Sequence, residues 1–118
     1  MEILGVGTDI IEIGRIRRAV ESNPRFAKRV FTEAELDYCM SMRDCCPHLA
    51  ARFAAKEAVA KAFGRSFSWQ DVEIAKDGRR PLVKLSGEAA EAAKGCAVML
   101  SMSHSRDYAT ATAVLVRS

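Results

Sequence analysis

Arg52-Phe53-Ala54-Ala55-Lys56-Glu57-Ala58-Val59-Ala60-Lys61-Ala62-Phe63-Gly64 is the stretch on which the reading of this chain turns. Alanine loses no side-chain freedom in a helix, and Ala50 and Ala51 continue the pattern upstream. Pro47 suits a first helical turn and Gly64 suits a stop, so the spacing predicts one long helix from Pro47 to about Phe63. The small side chains permit close packing, so the helix is expected to be mostly buried. Glu57 and Lys61 stand four apart and share a face. Charges on a buried helix need a partner or a ligand. On these residues alone, a functional pair and an ordinary surface ion pair of small value stay equally open.

Upstream, Ile3 to Thr8 reads as a first strand ending at Gly7-Thr8-Asp9. An acid at a strand end is well placed to bind a metal, but on this residue alone the start of a helix is the favoured reading. Ile10, Ile13, Ile16 and Val20 recur at helical spacing, predicting a short amphipathic helix that Asn23-Pro24 ends. Thr32-Glu33-Ala34-Glu35 has the form of a capping box, with a helix from about Glu33 to Met42. Downstream, Asp71 to Lys76 alternates as a half-buried strand, Asp77-Gly78 signals a turn, and Pro81 to Leu85 returns as a second strand. Ser86 can cap a short helix from Glu88 to Lys94, stopped at Gly95. Cys96 to Met102 and Tyr108 to Val116 read as final strands joined around Ser103-His104. The order predicts an α+β fold: one small domain over residues 1–118, with a largely antiparallel sheet packed against the long helix.

The composition bounds the function. A chain of 118 residues, 49% hydrophobic and 28% charged, is ordinary for a globular domain. Its surface-to-volume ratio is unfavourable, and association with other copies would bury more apolar surface. No basic, apolar leader opens the chain and no run approaches a membrane span, so a cytoplasmic location is expected. Cys39, Cys45, Cys46 and Cys96 lack both zinc spacing and disulfide density, and read as reduced thiols. A net charge of +3 is too modest to argue for nucleic acid, as is an aromatic content of 7% without a recognition motif. Arg15, Arg17, Arg18, Arg25, Lys28 and Arg29, opposed locally only by Glu21, form a patch suited to an anionic partner.

Ser103-His104 offers donors for phosphate oxygens at a strand connection. Adjacent side chains of an extended segment point to opposite sides, which argues against a Ser103–His104 nucleophile–base pair. His48, at a helix start, reads as structural or exposed. Two carboxylates, Asp9 and Glu57, suit a hard cation such as Mg²⁺, which takes oxygen ligands and binds substrate phosphates. A phosphate-transferring enzyme and a phosphohydrolase using water both satisfy this pattern; neither zinc spacing nor a Walker loop is present.

Gly7-Thr8-Asp9-Ile10, Arg52-Phe53-Ala54-Ala55-Lys56-Glu57-Ala58 with Lys61 and Gly64, and Ser103-His104 with Tyr108-Ala109 resemble, in order and spacing, the three signatures of the holo-[acyl-carrier-protein] synthase family. These are the short, single-domain 4′-phosphopantetheinyl transferases, and the resemblance covers nearly the whole chain. It implies transfer of 4′-phosphopantetheine from coenzyme A to a serine of apo-acyl carrier protein, releasing adenosine 3′,5′-bisphosphate, in support of fatty acid biosynthesis. It implies Mg²⁺ dependence and a homotrimer with active sites between subunits, and no nucleic-acid or membrane partner. Carried over by position, it makes Asp9 and Glu57 metal ligands and, with Lys61, the catalytic set. Arg52, Lys61, Gly64 and His104 would surround the coenzyme A phosphates and adenosine, and Arg15 and Arg25 would meet the acidic helix of the carrier. The loop Arg65-Ser66-Phe67-Ser68 is shorter than is common in the family, and its usual Gly-x-Pro turn is here Gly78-Arg79-Arg80-Pro81.

Overall fold

Glycine and alanine decide how closely the layers of this protein meet. A computed structural model describes residues 1–118. Along the chain lie β1 (Glu2–Glu12), α1 (Ile13–Ser22), α2 (Phe26–Val30), α3 (Glu33–Met40), α4 (Cys45–Phe63), β2 (Val72–Asp77), β3 (Arg80–Leu85), α5 (Gly87–Ala92), β4 (Cys96–His104) and β5 (Tyr108–Arg117). β1, β5 and β4 form an antiparallel sheet in that order, and β2 and β3 form a separate hairpin. The expected α+β architecture is therefore present.

Alternate residues of β1 face α4. A methyl group on Gly5 would overlap the Ala62 carbonyl, and one on Gly7 would overlap the Ala58 carbonyl. Ala109, Ala111 and Ala113 line the same face of β5, and Ala50, Ala54, Ala55 and Ala58 answer from α4, all buried. Small residues on both surfaces let the helix lie against the strands at backbone distance, filling space that larger side chains occupy in most cores.

The capping box is complete. Thr32 Oγ1 accepts from Glu35 N–H at 3.2 Å, while Glu35 Oε1 accepts from Thr32 N–H at 2.8 Å. Glu35 also does something its local sequence does not announce. It pairs at 2.9 Å with Lys56, both side chains being at most 1% exposed, and accepts from Ile74 N–H at 2.7 Å. Lys56 Nζ donates further to the carbonyls of Trp69 (2.8 Å) and Val72 (2.6 Å). These bonds satisfy a buried ion pair that would otherwise be costly, and they tie α3, α4 and β2 together.

Several boundaries differ from expectation. β1 does not end at Asp9 but continues to Glu12, because β5 offers it a ladder as far as Tyr108. Ile10 is thus an outward strand residue, 66% exposed, not part of a helix. α4 begins at Cys45 rather than Pro47, since the Asp44 carboxylate caps it by accepting from Cys46 N–H at 3.2 Å. Ser86 makes no cap bond, and α5 spans Gly87–Ala92. No helix is long and apolar enough to cross a membrane.

Candidate active site

Asp9 lies on the same face of β1 as Gly5 and Gly7, so its side chain turns toward α4. There Lys61 Nζ donates to Asp9 Oδ1 at 3.3 Å and to the Thr8 carbonyl at 2.9 Å. Glu57, one turn earlier on α4, is near enough to feel the Asp9 charge. Burial pushes the Glu57 carboxyl above its ordinary range, Asp9 pushes it further, and Lys61 opposes both. Two carboxylates therefore converge with one ammonium beside them. A divalent cation fits this donor set: it would relieve the carboxylate repulsion, take two protein oxygens and leave positions for water or phosphate. Beyond Glu57 and Lys61 opens a cleft of about 450 Å³, bordered by Gly64, Arg65 and Ser66. Gly64 ends α4 in the left-handed conformation, φ 73°, which spares that wall a side chain.

A second cavity, about 200 Å³, holds Arg52 and His104 together with Tyr38, His48, Lys76 and Arg79. Arg52 is only 3% exposed. Its Nη1 donates to the His48 carbonyl at 3.1 Å, its guanidinium carbon stands 4.6 Å from the Tyr38 ring centre, and its buried Nε has no partner. The His48 and His104 rings meet edge to face with centroids 5.5 Å apart. Burial holds the His48 pKa below its ordinary value, with His104, Arg52 and Lys76 adding repulsion. This cavity is poor in acids and rich in donors, the environment an anion seeks. His48 is thus part of a polar cavity rather than merely structural. Sequence spacing did not single out Tyr38, Lys76 or Arg79; the only available signal was that Lys76 and Arg79 flank the Asp77-Gly78 turn.

The two groups do not share one cavity in a single chain. Asp9 belongs to β1 and His104 to β4, the opposite edges of the three-stranded sheet, roughly 10 Å apart across β5. Arg52 and Glu57 are five positions apart on α4, about 140° around its axis. Ser103 pairs across from Thr110 and His104 from buried Ala109, so they point to opposite faces of β4. Arg15 and Arg25 are exposed, the first on α1 and the second just before α2. Arg17 is held by Asp44 through bonds of 3.1 and 2.8 Å, so the basic patch meets a second acid that its local sequence does not contain. All four cysteines are free, and burial pushes Cys39 and Cys46 up to about 11.

The chain as a whole falls into a known class. The pattern of the 4′-phosphopantetheinyl transferase superfamily matches residues 5–113, and the chain belongs to that family. More narrowly, it is similar over its length to holo-[acyl-carrier-protein] synthases. That of Chlamydia caviae is 46% identical, over 97% of this chain and 98% of the relative. The crystal structure of holo-ACP-synthase from Plasmodium yoelii superposes with a TM-score of 0.88 at 35% identity, over 99% and 97% of the two chains. A holo-(acyl-carrier-protein) synthase from Bacillus anthracis, solved in complex with CoA (3′,5′-ADP), superposes with a TM-score of 0.84 at 35% identity, over 98% of each chain. The family resemblance read from the three motifs, and the expectation of a phosphopantetheinyl transferase enzyme, are borne out.

Proposed function

We propose that this enzyme transfers 4′-phosphopantetheine from coenzyme A to a serine of apo-acyl carrier protein, with Mg²⁺ as its metal, in support of fatty acid biosynthesis. The observation that carries the reading is the convergence of Asp9, Glu57 and Lys61 where β1 crosses α4. The Bacillus anthracis relative, so similar in fold, is a complex with CoA (3′,5′-ADP).

The carrier serine is the nucleophile, so the enzyme needs none of its own. Its oxygen attacks the β-phosphorus of the coenzyme A diphosphate, the bond to the adenosine-side oxygen breaks, and adenosine 3′,5′-bisphosphate departs with that electron pair. A bound divalent cation supplies charge neutralisation at the diphosphate, and Asp9 and Glu57 are the residues that would hold it. The Lys61 ammonium stands beside them, placed to balance charge on the leaving phosphate. Such transfers depend on alignment and electrostatic stabilisation, which rigid strand and helix positions supply. A base must still take the serine proton, a carboxylate of the site or a water. Arg52, Gly64 and His104 take the remaining phosphate and adenosine contacts, and exposed Arg15 and Arg25 dock the acidic carrier. Four unpaired cysteines fit the reducing cytoplasm.

We place the active site between subunits of a homotrimer. The outer sheet face presents Val6 and Met99, 61% and 59% exposed, in one cross-strand row with Val114. Such an apolar face asks for cover. Joining neighbouring copies would also let the Asp9 group of one chain meet the Arg52 group of the next. Sedimentation checks the trimer. The function is tested by mass spectrometry of apo-carrier protein incubated with enzyme, coenzyme A and Mg²⁺: one added phosphopantetheine supports it. Coenzyme A cleavage that needs no carrier would replace it with a hydrolase.

A further inference from the structure

Tyr38 is the one side chain that touches two cations of the Arg52 cavity. Its ring centre lies 4.6 Å from the Arg52 guanidinium carbon and 5.2 Å from Lys76 Nζ, and Lys76 donates to its hydroxyl at 3.1 Å. The T-shaped contact of Tyr38 with His48, centroids 6.2 Å apart, braces the same ring from α4. Arg52 and Lys76 repel each other, come from different elements, and face a cavity with no acid in its lining. Unaided, Lys76 on an exposed strand end would swing into water, where an ammonium is best solvated. An aromatic face attracts cations, and a phenol oxygen accepts from them, so one tyrosine offsets the repulsion and holds the exposed Lys76 ammonium beside the buried Arg52 guanidinium. Buried Arg52 Nε, still without a partner, shows that this arrangement leaves donor capacity unused inside the protein.

We propose that Tyr38 is a positioning residue for coenzyme A binding: it holds Arg52 and Lys76 as a preformed pair of cations aimed at the anionic co-substrate. This rests on the reading of Arg52 as a coenzyme A contact. Tyr38 itself need not touch coenzyme A. Its contribution is to keep two flexible cations ordered before the ligand arrives, which lowers the entropy cost of binding. Because α4 carries both Arg52 and Glu57 but on different sides, the effect falls on binding and leaves the chemical step nearly unchanged.

Steady-state kinetics of carrier modification, with coenzyme A varied at saturating carrier, tests this. Tyr38→Leu should raise KM for coenzyme A about tenfold with kcat within about twofold of the parent, since it removes both ring and hydroxyl. Tyr38→Phe, which keeps the ring, should raise KM only about two- to threefold, Lys76→Met should raise it more because it removes the cation along with the same bond, and Tyr38→Phe/Lys76→Met should bind no worse than Lys76→Met alone. The double variant Tyr38→Leu/Arg52→Gln should lose less than the product of the two single losses, because only the Lys76 share of the Tyr38 effect remains. If Arg52→Gln leaves KM unchanged, Arg52 is not a coenzyme A contact and the underlying reading falls. If Arg52→Gln raises KM while Tyr38→Leu does not, or the two losses multiply independently, that reading stands and the positioning role is refuted. Should Tyr38→Leu fail to fold, the Tyr38→Phe/Lys76→Met cycle decides: no KM increment for Tyr38→Phe, or an increment that persists undiminished once Lys76 is gone, overturns the proposal.

Discussion

Replacing Gly7 by alanine tests whether close contact between β1 and α4 sets the catalytic geometry. The added methyl would overlap the Ala58 carbonyl and stand 2.7 Å from Ala62 N and 2.8 Å from Lys61 Cβ, where ordinary contact begins at 3.4 Å. Clearing Ala62 N alone needs roughly 0.7 Å, and the Ala58 carbonyl demands more. Neither side can yield locally, because helix backbone is hydrogen-bonded and β1 is paired along its length to β5. The strand must therefore retreat over several residues, by an amount that fades with distance from the clash. Overpacking of this kind costs about 1–3 kcal/mol, and backbone on the opposing side argues for the upper end. At about 3–5 °C per kcal/mol, the thermal midpoint should fall by about 10 °C. Asp9, two residues along the same face, moves with the strand while Glu57 and Lys61 stay with the helix. A misplacement near 1 Å costs on the order of 100-fold in rate. The assay is thermal unfolding beside carrier modification at 20 °C, where the variant remains folded. Gly5→Ala serves as the control: it clashes similarly with Ala62 but lies farther from Asp9, so it should lose comparable stability and less rate. An unchanged midpoint for Gly7→Ala would refute the packing argument. A lowered midpoint with unchanged kcat/KM would refute the link from packing to catalysis.

Asp9→Asn and Glu57→Gln should each lose at least about 100-fold in transfer at saturating Mg²⁺, with thermal midpoints close to the parent, because each relieves carboxylate repulsion in the metal-free fold. Near-normal turnover in either variant removes that residue from the site. His48 has a folded pKa below its ordinary 6.5, so the unfolded chain binds more protons near and below that pH, and stability rises with pH through that window. His48→Gln should flatten that rise in urea unfolding from about pH 5 to 7; an identical slope would show that His48 titrates as if unfolded. Glu35→Gln leaves Lys56 charged and buried and should cost about 3–5 kcal/mol in urea unfolding. A loss under about 1 kcal/mol would mean that the pair is dispensable. Arg15→Glu should raise KM for the carrier and reduce its salt dependence, with kcat little changed; unchanged carrier affinity would end its docking role.

Much of this fold is legible where the governing interaction is local. The Thr32–Glu35 box spans four residues, the Asp77-Gly78 turn two, and the alanine content of α4 acts residue by residue, so these are read directly from adjacent letters. The strand boundary near Asp9 is not legible, for the opposite reason. Ile10, Ile13 and Ile16 carry helical spacing, yet a ladder from β5, about a hundred residues away, keeps Ile10 in the strand. Lys56 and Glu35 likewise look like two ordinary surface charges until packing removes water from both.

Residue order along the chain is enough to specify the central helix and the hairpin, the family resemblance, and the candidate residues Asp9, Arg52, Glu57, Lys61 and His104. Their grouping comes from packing, with Asp9, Glu57 and Lys61 at one sheet edge and Arg52 and His104 at the other. Residue types and spacings record what each side chain can do. Which side chains meet depends on strand order and on the turn of a helix across the sheet, and both are settled by burial of the whole chain.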